Sequence, residues 1–509
     1  MKKIQLLFLT FLIPILSFAQ EKGLDQRIDE AFEPISNFVS EKVFFEIAGY
    51  PFVILLLIGS AVFFTLYFGF PNIRYFWTSI NVVRGKYDDV EKSDSGSNDG
   101  EVSHFQALAT AVSGTVGNGN IAGVALAIAL GGPGATFWMV ICGLLGMSSK
   151  FVECTLGVQY RDVGDDGTIY GGPMYYLTKG LKEKGFKTLG KVAAVFFAIF
   201  CIGGSFGGGN AAQSNQATIV LKQLLGLEST SSGAIIGLVM AILVGIIIIG
   251  GIKRIASVTE KIVPFMALLY LMACLYILLV NFSLVDDAIA LIIKEAFNPT
   301  AMGVGGFIGV LMVGFKRAAF SNEAGVGSAS IAHSAVKTKY SASEGLVALL
   351  EPFIDTVVIC TMTALVIIIF NFGGAFEYGG DGMGIVLIDG VPYEGAGITS
   401  KAFAEYIPYS GVFLTIAVVL FAVSTMISWS YYGLQSWKYL FGRGRVADLT
   451  YKLIFCMFVI IGSAASMSSI WDFSDAMIFA MVFPNMIGLF FLFPVVKEQL
   501  NKYLEAIKS

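Results

Sequence analysis

Ser113-Gly114-Thr115-Val116-Gly117-Asn118-Gly119-Asn120 lies in the middle of a long apolar run, 105–130. Glycine costs a helix interior about 1 kcal/mol against alanine, and asparagine is also a poor helix former. The stretch therefore predicts a helix that breaks in mid-run. Broken backbone at membrane depth survives only where protein or a water-filled cavity satisfies its N–H and C=O groups. Close helix packing explains isolated glycines; it explains Asn118 and Asn120 inside a glycine cluster poorly. A half-helix that begins near the midplane offers N–H groups to a carboxylate, and one that ends there offers carbonyl oxygens to a small cation such as Na⁺. Asn120 can add a side-chain oxygen to such a cation.

The rest of the chain supports membrane depth. Of 509 residues, 56% are hydrophobic and only 14% charged, with 58 Gly and 43 Phe and a mean hydropathy of +0.75. Soluble domains carry about 25% charged residues, so a soluble fold, a coiled coil and a disordered chain are all excluded. The apolar runs are continuous rather than alternating, which excludes spanning strands. The reading is an all-α polytopic membrane protein whose partners include the lipid bilayer and no nucleic acid. Lys2, Lys3, the apolar run Ile4–Leu16 and the exit Ser17-Phe18-Ala19 read as a cleavable signal peptide, 1–19. The six cysteines lie in apolar segments without metal-ligand spacing, and His104 and His333 have no evident third ligand. No transition-metal site is expected.

Spanning runs fall near 51–70, 105–130, 134–158, 191–221, 233–251, 262–282, 301–331, 347–371, 410–435, 453–469 and 473–496, giving eleven helices after signal cleavage. With the mature N-terminus outside, the segments assigned to the cytoplasm hold 23 Lys and Arg and the opposite ones 6. That bias sets the orientation, with a cytoplasmic C-terminus in a bacterial inner membrane. The chain divides into an external segment 20–50, an extra helix with its linker 51–104, a five-helix group 105–282, an external loop 283–300, a second five-helix group 301–496 and a tail 497–509. The second interruption runs through Gly303, Gly305, Gly306, Gly309 and Gly314 into Phe315-Lys316-Arg317-Ala318-Ala319-Phe320-Ser321-Asn322-Glu323-Ala324-Gly325-Val326-Gly327. The interrupted runs thus open two groups of five, an odd number that inverts the second relative to the first. Matched interruptions in inverted halves point to a transporter's binding site.

Other residues belong to the same reading. Ser424 and Thr425 sit mid-span, and Trp429 lies one turn beyond Thr425 on the same face, where it would wall a small pocket. Gln213 follows the row Gly207-Gly208-Gly209-Asn210 and should face the bundle interior. Lys316, Arg317 and Glu323 are intramembrane ions, read as an internal ion pair that holds or gates a broken helix. No nucleophile set, metal motif or cofactor motif appears at membrane depth, so an enzyme is not expected. An ion channel would want a filter-like loop or charged ring, and neither is visible.

Gly117-Asn118-Gly119-Asn120-Ile121-Ala122-Gly123, Gly131-Gly132-Pro133-Gly134-Ala135, Gly171-Gly172-Pro173-Met174-Tyr175-Tyr176, Phe320-Ser321-Asn322-Glu323-Ala324-Gly325, Ile331-Ala332-His333 and Ser428-Trp429-Ser430-Tyr431-Tyr432-Gly433 together resemble the alanine or glycine:cation symporter family. The likeness covers about 50–497. It implies a leucine-transporter-like fold of two inverted five-helix repeats and import of a small neutral amino acid (alanine, glycine) with Na⁺, or in some members H⁺. Na⁺ would be the coupling ion, with no other cofactor. By resemblance Gly117, Asn118 and Gly119 receive the substrate carboxylate, and Asn120, Gln213, Gly314, Thr425 and Trp429 line the substrate pocket. The Ser113 and Val116 carbonyls with Ser424 and Thr425 look like the sodium site. Asn118 stands where the family pattern has Thr, and Ala211-Ala212 replaces bulkier residues before Gln213.

Overall fold

A computed structural model describes residues 24–92, 100–227, 232–298, 306–379, 382, 384–464 and 467–508. The signal-peptide segment 1–19, Gly303 and Gly305 lie outside the described residues. The long helices are α1 Leu24–Val43, α2 Phe52–Tyr67, α3 His104–Thr115, α4 Ala122–Gly131, α5 Gly134–Gln159, α6 Lys187–Leu225, α7 Ser232–Ile248, α8 Gly251–Val280, α9 Gly306–Asn322, α10 Ser341–Gly373, α11 Ser410–Phe441, α12 Arg445–Ala464 and α13 Ile470–Ala506. Among the described residues α5, α6, α8, α10, α11, α12 and α13 are long and apolar enough to cross a bilayer, while α2 and α7 are shorter apolar helices. An eighth crossing arises if α3 and the 118–131 helix, bent by 56°, count as one broken span. Rows of bare Ile, Leu and Phe on α7 and α8, among them Ile235, Ile242, Phe265 and Leu268, need hydrocarbon rather than water around them. The molecule is an integral membrane protein of many spans.

Several helices outrun the apolar windows that reveal them. α8 begins at Gly251 rather than 262, α10 at Ser341 rather than 347 and α12 at Arg445 rather than 453. Helical hydrogen bonds are internal and continue past the hydrocarbon wherever polar side chains find water or partners. The consequence is largest for α10, because the extra turns put Asp355 deep in the protein.

α5 and α11 organise the interior. α5 packs against α2, α9, α10 and the helix Val285–Phe297, while α11 packs against α3, α6, α8 and α12. α3 starts on a capping box, with Gln106 N–H donating to Ser103 Oγ and Gln106 Oε1 accepting from Ser103 N–H at 3.1 Å. The described residues of the segment after α10 carry secondary structure. They form a hairpin, Val386–Ile388 against Val391–Tyr393, and the helix Ala396–Tyr406. They dock on α4 through Gly379 N–H to the Ala129 carbonyl at 2.7 Å and Thr399 Oγ1 to the Ile121 carbonyl at 3.0 Å.

Glycine at the start of α5 permits a close approach of the helix Val285–Phe297. A Cβ at Gly134 would strike the Glu295 carbonyl and sit 2.6 Å from Ala296 N. Gly134→Ala should therefore cost about 1–3 kcal/mol, the usual penalty of overpacking. The readout is a lower thermal midpoint of the purified protein. An unchanged midpoint would mean that the Val285–Phe297 helix is not fixed against α5.

Candidate functional site

Two interrupted helices meet in the interior. α3 ends at Thr115, Val116 and Gly117 are extended, and Asn118–Asn120 form one tight turn before α4. The second interruption follows α9, where Glu323 (φ 55°), Gly325 (φ 85°) and Gly327 (φ 95°) turn the chain into the short helix Ala329–His333. A left-handed conformation costs a non-glycine residue about 1 kcal/mol or more, so Glu323 is held there by its side-chain bonds. The breaks touch: a Cβ on Gly119 would be 3.3 Å from Ser321 Oγ.

Side chains replace the helical partners that each break removes. Asn120 Oδ1 accepts from Gly117 N–H at 2.8 Å, so the amide oxygen proposed from sequence for a cation is already engaged. Its Nδ2 donates to Asp355 Oδ1 at 2.6 Å. Gln213 Oε1 accepts from Asn118 N–H at 3.1 Å, and Asn118 Nδ2 donates to the Gln213 carbonyl at 3.2 Å. Gln213 is aimed by a π-helical stretch, Gly207–Ala211. Such bulges free backbone carbonyls and cluster at functional sites, and Gln213 Nε2 donates to the Gly208 carbonyl at 2.9 Å.

α11 closes the other side. Ser113 Oγ donates to the Ser424 carbonyl at 2.7 Å and Ser428 Oγ to the Thr110 carbonyl at 2.8 Å, which stitches α3 to α11. Ser424 Oγ turns back to the Phe421 carbonyl at 2.9 Å. Thr425 Oγ1 differs: it is buried without a hydrogen-bond partner among the described residues and lies so near Gly117 that a Cβ there would collide with it. Trp429 Nε1 donates to Glu323 Oε1 at 2.9 Å, and Ser328 Oγ bonds Glu323 Oε2. The indole lies flush on Gly209, which has no room for a Cβ.

Between these groups is a cavity lined by Thr115, Gly119, Gln213, Phe320, Ser321, Glu323, Thr425 and Trp429 with Gly114, Gly208 and Ile478. Its free volume is about 10 Å³, the space of roughly one water molecule. Gly117, Asn118, Asn120, Ser113, Val116 and Ser424 stand behind this wall as its support.

Two sequence expectations are corrected. Gly314 does not reach the cavity; a Cβ there would sit 2.6 Å from the Ala135 carbonyl and 2.7 Å from Trp138 Cβ, so it serves the packing of α9 on α5. Lys316 and Arg317 do not pair with Glu323. Both meet Asp475 of α13, Lys316 at 2.9 Å. The Arg317 guanidinium also lies 5.8 Å from the Phe320 ring and 6.0 Å from the Trp471 ring.

Ser321 and Asp355 are site residues that sequence reasoning did not assign. Asp355 Oδ1 accepts from Asn120 Nδ2 and from Ser321 Oγ at 3.1 Å, and its Oδ2 from Thr356 Oγ1 at 2.6 Å. An acid in an apolar run was the available signal, weakened because the hydropathy window put the helix start too close to it.

Two broken helices around a small polar cavity, with their ends held by side chains at its wall, define a membrane secondary transporter. The model of the sodium:alanine symporter family matches residues 34–509, and the chain belongs to that family of Na⁺-coupled amino-acid symporters; it is not an enzyme. It is 40% identical over 460 residues to the sodium/alanine symporter AgcS of Methanococcus maripaludis, covering 90% of this chain and 95% of the relative. It is 32% identical over 459 residues to the probable sodium/glutamine symporter GlnT of Bacillus subtilis, covering 90% and 88%. The crystal structure of MhsT in complex with L-phenylalanine superposes with a TM-score of 0.52 at 15% identity, covering 76% of this chain and 88% of that one. The fold is leucine-transporter-like.

The Asn120–Asp355–Ser321 bracket makes a specific prediction. Asp355→Asn keeps the shape but faces an amide N–H₂ or a weaker acceptor towards three donors. The loss should be about 1–3 kcal/mol, as for a buried group left unpaired. It is measured as a lowered thermal midpoint with Asn120→Asp as the partner variant; an unchanged midpoint would show that the bracket does not hold the break.

Proposed function

We propose that the protein imports a small neutral amino acid, alanine or glycine, together with Na⁺ by alternating access. It would cross a bacterial inner membrane eleven times in two inverted five-helix repeats behind the extra helix α2, with the N-terminus outside and the C-terminus in the cytoplasm. The observation that carries the reading is Thr425 Oγ1, a buried hydroxyl oxygen without a partner beside the carbonyl end of α3. Hydroxyl and carbonyl oxygens suit a hard cation. Na⁺ would take the Ser113 and Val116 carbonyls with Thr425 Oγ1, and Ser424 Oγ once it leaves the Phe421 carbonyl. The substrate carboxylate would dock on the Gly117–Gly119 turn through the N–H groups of Asn118, once Gln213 releases it, and of Gly119, while Asn120 would keep Gly117 N–H and its support of the break.

Size supports a small substrate. Trp429, Phe320 and Ile478 leave a cavity of about 10 Å³, so even alanine requires the walls to part. Each Na⁺ that enters contributes about 2.3 kcal/mol per 100 mV of membrane potential, which supplies the uphill import. The paired Lys316, Arg317 and Asp475 lie beside the Phe320 and Trp471 rings and would gate access there.

The test is labelled alanine uptake into proteoliposomes under an inward Na⁺ gradient, then with choline replacing Na⁺ at fixed pH. Na⁺-dependent uptake competed by glycine is expected. Uptake that ignores Na⁺ and follows a pH gradient would move the coupling to H⁺, for which Glu323 at the cavity wall is the available group. Thr425→Val deletes the oxygen and keeps the shape; it should weaken Na⁺ half-saturation about tenfold or more, the worth of one bond to a charge. An unmoved Na⁺ dependence would remove Thr425 from the cation site.

A further inference from the structure

Both of the chain's histidines belong to a buried file of acids and bases away from the cavity. His104 Nε2 is 2.6 Å from Glu91 Oε2, and His104 Nδ1 meets Glu344 Oε2. His333 Nδ1 is 2.5 Å from Glu344 Oε1, and His333 Nε2 is 3.5 Å from Glu351 Oε2. Lys150 Nζ bonds Glu351 Oε1 at 2.9 Å and reaches Glu153 Oε1 at 3.9 Å. All these side chains are buried. The file begins at a cavity of about 360 Å³ that Glu91 and His104 share with Asp88, Lys92 and Lys337. Tyr503, Thr338 and Ser343 hydroxyls donate to Glu91, and Asn485 Nδ2 donates to Glu153 Oε2 at 3.1 Å. At the far end Lys150 and Glu351 lie within Coulombic reach of Glu323 at the substrate cavity.

The geometry counts protons. A neutral imidazole has one N–H and one bare lone pair, and a lone pair pointed at a carboxylate oxygen repels it. His104 presents both nitrogens to carboxylate oxygens at hydrogen-bonding distance, and so needs a second proton, on itself or on a facing carboxyl. His333 bonds Glu344 through Nδ1 and turns Nε2 towards Glu351 Oε2 at 3.5 Å, two buried atoms without a hydrogen-bond partner among the described residues, where a second proton would remove the repulsion between lone pair and carboxylate. Four carboxylates against Lys150 alone leave a buried excess of −3, and two such protons reduce it to −1.

The file also joins residues of five different elements. Glu91 ends the helix Asp88–Glu91, His104 opens the first broken helix, and His333 ends the short helix beyond the second break. Glu344 and Glu351 stand on α10, Lys150 and Glu153 on α5.

We propose that this file is a second binding site of the transporter, whose ligand is the proton: two bound protons latch the ends of both broken helices to α5 and α10, and their loss unlatches that face. A site that holds protons more tightly latched than unlatched stabilises the latched form at low pH and loses that contribution as pH rises. When a proton leaves to water, Glu91 and Glu344, or Glu344 and Glu351, face each other across a neutral ring. The functional meaning rests on the alternating-access reading above; the proton binding does not.

The test is hydrogen–deuterium exchange of the purified full chain in nanodiscs, without Na⁺ or amino acid, with protection corrected for the intrinsic pH dependence of exchange. Between about pH 6 and about pH 9.5, protection of 104–115 and 329–348 should fall about tenfold or more, a modest share of what breaking a buried ion pair costs. α12, which carries no member of the file, should not change. His333→Gln should give low protection at both ends of the range. His104→Gln, whose ring lies at the cavity mouth and whose fold is reported by α12, should flatten the profile by itself. Protection of the wild type that does not follow pH, or a His104→Gln profile identical to the wild type, overturns the latch. Alanine uptake run in parallel separates the two readings: absent uptake with a pH-dependent latch sinks the transport assignment alone, and Na⁺-driven uptake with pH-independent protection sinks the latch alone.

Discussion

A helix cannot be cut open in an apolar interior unless every exposed N–H and C=O finds another partner. The break at Val116–Gly117 meets this demand with two side chains from different directions. Asn120 reaches back within its own turn to Gly117 N–H, and Gln213 comes across from α6 to Asn118 N–H. Each of them is fixed in turn, Asn120 by Asp355 and Gln213 by the carbonyl that the π-helical stretch releases at Gly208. The cavity, its lining and the free oxygen of Thr425 follow from where this chain of support leaves the backbone. A substrate carboxylate would compete with Gln213 Oε1 for Asn118 N–H, so this backbone donor is satisfied before and after binding.

Glycine and asparagine in one apolar run were enough to locate the first break, because both residues oppose a continuous helix for local reasons. The spans were legible for the same kind of reason, since hydropathy is a sum over neighbours in sequence. What the sequence could not place were partners set by tertiary packing. Lys316 and Arg317 find Asp475, more than 150 residues away, where nearness in sequence had suggested Glu323. Gly314 came into the pocket by resemblance, but its neighbours are Ala135 and Trp138. Asp355 had little local signal to mark it, because a hydropathy window sees only the apolar part of α10 and not the residues that come to face it. The two histidines lie 229 positions apart in sequence and share Glu344 between them, a juxtaposition with no local signature.

Charge in this interior is handled by sharing. Asp475 serves two cations, Glu344 two imidazoles, and Lys150 two carboxylates. Removing one member of a buried pair costs more than the pair contributes, because the remaining charge stays behind without compensation. Shared partners soften that penalty during motion, since a group that loses one neighbour keeps another. The substrate cavity follows a different rule. Its single carboxylate, Glu323, is held by an indole N–H and a hydroxyl, neutral donors that can part from it without stranding an opposite charge.

The bond between Asn120 and Asp355 also restricts how this chain can diverge. An amide at 120 works because its two ends do different tasks, oxygen to Gly117 and nitrogen to Asp355. Exchange of Asn120 for a carboxylate would set like charges face to face at position 355, and exchange of Asp355 for a small apolar residue would leave the amide nitrogen stranded. Either position can drift only through a intermediate worse than both end points unless the other changes with it. The two positions therefore constrain each other, and the cavity can change its shape with least effect on this break at Phe320, which lines it and bonds neither Asn120 nor Asp355.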